Sequence, residues 1–153
     1  MTGWTTVGRR CHLHHGAVVG SPPQDLKYDC DPSFLEVGDE TVIREYVTAN
    51  LATEGGATTR IGSNCLLMAY AHVGHTSQVG NRAILANAVQ LGGYVAIGDC
   101  AIVGGGSVVH QITRIGAHAM VGGGSSIEQD VPPIASARSS PGPPTCNCSR
   151  AAA

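Results

Sequence analysis

An aliphatic side chain returns at every sixth residue from 61 to 127: Ile61, Leu67, Val73, Val79, Leu85, Leu91, Ile97, Val103, Val109, Ile115, Val121 and Ile127. The fourth residue after each is small or β-branched, from Cys65, Ala71 and Ser77 through Ala119 and Ser125 to Val131. Glycine directly follows the aliphatic residue at positions 62, 74, 80, 92, 98, 104, 116 and 122. A helix repeats near 3.6 residues and a half-buried strand at 2, so a sustained period of six describes neither alone. It describes a triangular coil of three short strands, 18 residues around, with the aliphatic residue pointing inward and the small one beside it at the corner. Coils stacked at about 4.8 Å pair each backbone strand with those above and below. Residues 18 apart then lie over one another, and glycine is expected to relieve each turn.

Composition supports a narrow interior. Of 153 residues only 4% are aromatic, with one Trp4 and one Phe34, which leaves a sandwich or helical bundle without its usual large fillers. The length suits one domain. A net charge of -2, with Lys27 as the one lysine, gives no footprint for a polyanion, so nucleic acid is excluded as a partner. No run approaches the roughly 18 apolar residues of a membrane span, and MTGWTTVGRRC does not read as an export signal. A soluble, cytoplasmic protein is expected. The six cysteines are then expected as reduced thiols, and Cys146 with Cys148 supplies only half of a tetrahedral metal site.

The same phase runs upstream through Val7, Leu13 and Val19 and through Val37, Ile43 and Ala49, giving about six coils in all. It would place Asp25, Asp31 and Gly55 in the interior, so residues 20–36 and 50–60 are read as loops extruded from the solenoid. Pro132 and Pro133 end the repeat. The reading is therefore an all-β parallel β-helix over 1–133 and a disordered tail over 134–153, rich in Ser, Pro and Ala.

The sequence PQDLKY at 23–28, IREYVT at 43–48, AYAHVGH at 69–75, GNRAILAN at 80–87 and VHQITRIGAHAMVGGGSSIEQDVPP at 109–133 together resemble the UDP-N-acetylglucosamine O-acyltransferases of lipid A synthesis. The resemblance implies a left-handed coil of hexapeptide repeats, a handedness the spacing alone does not give. It implies a homotrimer, and transfer of a 3-hydroxyacyl group from acyl carrier protein to the glucosamine 3-hydroxyl of UDP-N-acetylglucosamine, with no metal or other cofactor. That family also has further N-terminal coils and a C-terminal helical domain, so the chain is expected to be truncated at both ends.

The matching catalytic base is His75. Neutral imidazole, which titrates near pH 6.5, suits removal of an alcohol proton as the alcohol attacks a thioester. Repeat phase agrees, since His72 and His75 occupy neither an inward nor a small-residue position. One coil on stands Gly93, whose amide is the matching oxyanion donor, and one further stands Gln111. Gln24, Asp25 and Lys27 match positions that contact substrate, with Lys27 facing the nucleotide phosphates. His72, His110 and Gln111 are further candidates for the same pocket.

The match departs at three positions. Thr76 stands where many relatives carry an aspartate that orients the base; its hydroxyl can still bond the imidazole but adds no negative charge. Tyr94 and Asn50 stand where histidines are frequent. Two rival readings remain open: a carbonic-anhydrase-like protein holding zinc between subunits through His72, His75 and His110, and a non-catalytic solenoid remnant. Against the first, 110 is no multiple of 18 from 72 or 75, and QDLKY has no part in that chemistry.

Overall fold

In the computed structural model, residues 4–138 are described, together with the backbone of residues 145 and 146. The chain forms a left-handed parallel β-helix of six three-stranded coils. The first coil runs through Thr5–Val7, His12–Leu13 and Val18–Ser21, and the sixth through Arg114–Ile115, Met120–Val121 and Ser126–Ile127. Each face of the prism is one parallel sheet. On the second face, for example, Leu66, Ile84, Ile102 and Met120 lie in register at 18-residue steps. The backbone bonds run from coil to coil, as from Ile84 N–H to Ala101 O and from Ile102 N–H to Ala119 O, both at 2.9 Å.

All twelve hexad aliphatics from Ile61 to Ile127 are buried, as are all twelve small or β-branched residues that follow them. Two polar members of the second set reach the next coil, while Ser125 Oγ donates to Gly122 O of its own coil at 2.7 Å. Ser77 Oγ donates to Gly92 O at 3.0 Å and Ser107 Oγ to Gly122 O at 2.9 Å. A short hydroxyl reaches a corner carbonyl without carrying an unpaired group into the core.

The glycines do a different task from the one expected. Those that follow the aliphatic residue are not in the left-handed region. A Cβ on Gly62 would lie 2.7 Å from the Gly80 carbonyl carbon, and one on Gly74 would lie 2.6 Å from Gly92 O. They allow backbone to pass over backbone. The left-handed residues fall two positions later and are mostly not glycine, among them Asn64, Tyr70, Arg82, Cys100 and Ile112, with φ between 55° and 69°.

The two inserts preserve the phase because they are whole numbers of hexads. Thr5 pairs with Leu35, 30 residues on, and Leu35 with Thr59, 24 on, which exceed 18 by 12 and by 6. Strands border the inserts more closely than expected: Val18–Ser21 and Phe34–Val37 leave residues 22–33 as the first loop, and Thr48–Asn50 and Thr58–Ile61 leave 51–57 as the second.

In the first coil Val7 is half-buried and Leu13 is 42% exposed, since only one neighbouring coil covers them. At the other end the solenoid continues past the boundary expected at 133. Val131 bridges to Ile115, and Ala135–Ala137 pair in parallel with Met120–Val121, with Ala135 buried. The two prolines withhold their N–H groups locally, but the ladder resumes once they are passed. The disorder expected for the tail otherwise concerns residues outside those described, apart from the paired backbone of Thr145–Cys146.

Ile112 is β-branched, 67% exposed and held at φ 69°. Its N–H donates to Gly93 O at 3.0 Å, a bond any residue can make there. Ile112→Asn is expected to stabilise the chain by about 1 kcal/mol, because asparagine tolerates the left-handed region. Denaturant unfolding checks this; an unchanged or lower midpoint would remove left-handed strain as a term in this fold.

Candidate active site

The corner that follows the third face carries a glycine-lined groove. Its volume is about 440 Å³, and its walls include Gln24, Asn50, His72, His75, Gly92, Gly93, His110 and Gln111. Three consecutive coils supply His75, Gly93 and Gln111 in one column. The first extruded loop supplies Gln24, and Asn50 closes the third strand of the second coil.

His75 is largely enclosed, its side chain 14% exposed. Nδ1 lies 2.7 Å from Thr53 Oγ1, and Nε2 lies 3.8 Å from Asp25 Oδ2. The Tyr94 ring meets the imidazole edge-on, centroids 5.2 Å apart. Gly93 is required by contact: a Cβ there would sit 2.4 Å from both Cε1 and Nε2 of His75. No substituted residue fits under that ring.

His72 stands one strand earlier, its Nδ1 2.7 Å from Thr48 Oγ1. Burial pushes its pKa below the ordinary histidine value, and His75 lowers it further, so His72 is neutral at pH 7. Asn50 is buried. Its Nδ2 donates to Pro22 O at 2.6 Å and to Ser21 Oγ at 3.2 Å, whereas its Oδ1 has no partner among the described residues. Asn50 thus anchors the first loop and leaves a spare acceptor in the groove wall.

Six of the eight candidate residues line the groove, and a seventh, Asp25, reaches His75 from the loop. Lys27 does not join them. It is exposed and not among the groove-lining residues, and its backbone N–H donates to Asp25 Oδ1 at 3.0 Å, a turn that orients the carboxylate. His110 is exposed at the rim, Nδ1 3.1 Å from Gln111 O. Among the described residues, no three His, Cys, Asp or Glu side chains of one chain converge as metal ligands. Among the described residues there is no helix long and apolar enough to cross a membrane.

The expectation for Thr76 is corrected. Its hydroxyl does not bond His75; it accepts from Thr53 N–H at 3.2 Å and donates to Glu54 Oε2 at 3.4 Å. The imidazole partner is Thr53, which sequence reading missed, together with Glu54, which the Tyr94 hydroxyl also contacts. Both sit in the insert, where hexad phase assigns no position.

These features define a hexapeptide-repeat β-helix with a histidine-bearing groove. Residues 58–93 match the family described as bacterial transferase hexapeptide (six repeats). Within that class the chain is similar to the UDP-N-acetylglucosamine O-acyltransferases, as its motifs indicate. It is 55% identical over 73 residues to the acyl-[acyl-carrier-protein]--UDP-N-acetylglucosamine O-acyltransferase of Synechocystis sp., a match spanning 48% of this chain and 26% of that one. The counterpart from Chlorobaculum parvum is 52% identical over 69 residues, 45% of this chain and 26% of that one. The LpxA structure from Acinetobacter baumannii superposes with a TM-score of 0.90 at 40% identity, covering 94% of this chain and 56% of that one. The Arabidopsis UDP-N-acetylglucosamine acyltransferase gives 0.88 at 33% identity, covering 94% and 58%. The chain thus spans a little over half the length of these solved relatives.

Gly93→Ala is expected to displace the His75 ring and lower any activity that depends on it by about 100-fold, the scale of a misplaced reacting group, with the thermal midpoint changed far less than activity. Parental activity in a folded Gly93→Ala variant would show that the ring need not stand where the structure puts it.

Proposed function

We propose that the chain is an acyltransferase that moves a 3-hydroxyacyl group from acyl carrier protein to the glucosamine 3-hydroxyl of UDP-N-acetylglucosamine. The observation that carries this reading is the His75–Gly93 column: an enclosed imidazole packed on a glycine, facing a groove on a fold whose relatives bear that activity in their names. In the reaction, His75 Nε2 takes the proton of the sugar hydroxyl as its oxygen attacks the thioester carbonyl. The Gly93 N–H faces the oxyanion of the tetrahedral intermediate. Collapse expels the carrier thiolate, which recovers the proton from His75. The Asp25 carboxylate lies 3.8 Å from Nε2, on the side from which the proton is taken.

Gln24, Asp25, His72, His110 and Gln111 hold the sugar nucleotide and acyl chain. Lys27, free of the groove wall, is positioned to meet phosphates that extend outside it. The oligomer is a homotrimer. What supports it is the apolar row Val42, Leu66, Ile84, Ile102 and Met120 along the outside of the second face, a surface that a monomer leaves partly in water.

Acyl transfer from 3-hydroxyacyl carrier protein to UDP-N-acetylglucosamine is the direct test, run beside His75→Ala, with sedimentation reporting assembly. The expected result is activity in a parent of three times the chain mass and a loss of at least 100-fold in the variant. An inactive, folded trimer would leave a solenoid without this chemistry.

A further inference from the structure

We propose that Thr53, fixed in place by Glu54 between Tyr94 and Thr76, is the positioning residue that orients His75. The inference rests on the reading of His75 as the general base. It joins what looks in the sequence like two unrelated losses, at positions 76 and 94, into one replacement.

The geometry has two layers. Thr53 is buried, and its Oγ1 touches His75 Nδ1 at 2.7 Å. Its backbone N–H donates to Thr76 Oγ1 at 3.2 Å, and Thr76 N–H in turn donates to Thr59 Oγ1 at 2.7 Å, so the segment is tied to the third coil from both sides. Behind it the Glu54 carboxylate accepts from Thr76 Oγ1 at 3.4 Å through Oε2 and from the Tyr94 hydroxyl through Oε1. The ring of that same tyrosine packs edge-on against His75. Thr53 and Tyr94 thus meet the imidazole directly, and Thr76 and Glu54 bond to those two residues.

An imidazole works as a base through one nitrogen only when the other is committed. In the proposed arrangement Thr53 Oγ1 accepts Nδ1–H across the 2.7 Å contact, which leaves the Nε2 lone pair for the substrate hydroxyl. A threonine carries no charge, so the anion that an aspartate would place against the ring stands one residue further out, in Glu54. The Tyr94 hydroxyl, first, holds that carboxyl below its usual pKa, and the tyrosine is correspondingly pushed up, so the pair persists as phenol and carboxylate through neutral pH. The titratable groups facing His75 are therefore Asp25 from the first loop, Glu54 from the second, Tyr94 from the next coil and His72 from its own.

Histidine-labelled protein tests this by 15N NMR of the imidazole, with steady-state kinetics on the same samples. The parent is expected to show His75 protonated at Nδ1 with a bare Nε2. Thr53→Val is expected to mix the tautomers and lower kcat by about tenfold or more, the cost of losing such a partner, with KM within about threefold. Thr53→Ser is expected to restore both the tautomer and most of kcat, and Glu54→Gln to lower kcat with the fold intact. A parent protonated at Nε2, a Thr53→Val variant with parental tautomer and kcat, or a Thr53→Ser variant as impaired as Thr53→Val would each overturn the proposal. A parent that holds the Nδ1–H tautomer yet transfers no acyl group would support the positioning and refute acyl transfer.

Discussion

Each short strand of the prism bonds along the solenoid axis, to the coils above and below, and none is satisfied within its own coil. Every coil must therefore present the same path to its neighbours, and the interior must accept the same stack of side chains at each level. That is why the inward positions hold only Val, Ile, Leu and Ala-sized residues, and why a glycine follows wherever backbone passes over backbone. Both inserts are whole hexads, so the aliphatic phase counted along the sequence continues across them.

The same rigidity places the chemistry. Three coils carry His75, Gly93 and Gln111 to one corner, where Tyr94 N–H donates to His75 O at 2.9 Å and Ile112 N–H to Gly93 O at 3.0 Å, tying each coil to the next. Loops supply what the ladder does not: Asp25 approaches Nε2 from the first insert, and Thr53 approaches Nδ1 from the second. The imidazole is thus held between two segments that carry no repeat phase, over a glycine that does.

This division explains what was legible in the sequence. The hexad named every buried residue from Ile61 to Ile127 except Gly74 and Gly93, and the column containing His75, because period and burial are linked by geometry. It misassigned the glycines, since close approach and left-handed turning both favour glycine and the sequence does not separate them. It placed the end of the solenoid at the prolines, although the backbone ladder resumes at Ala135. In the inserts the sequence carried only a motif. QDLKY led to Gln24 and Asp25, but nothing in TEGG at 53–56 marks Thr53 as the partner of a histidine 22 residues away. Thr76 looked like the natural partner because the resemblance puts an orienting aspartate at that position; its left-handed backbone, φ 60°, accompanies a side chain that bonds Glu54 and not the ring.

The central claim is that the groove at the His75–Gly93–Gln111 corner is where the sugar nucleotide binds. A crystal structure of the chain with UDP-N-acetylglucosamine tests it most directly. The account predicts the hexose in that groove, with its 3-hydroxyl within hydrogen-bond distance of His75 Nε2 and its diphosphate on the side of Lys27. A sugar nucleotide bound at another face, or seated in the groove with its 3-hydroxyl turned away from His75, would contradict it.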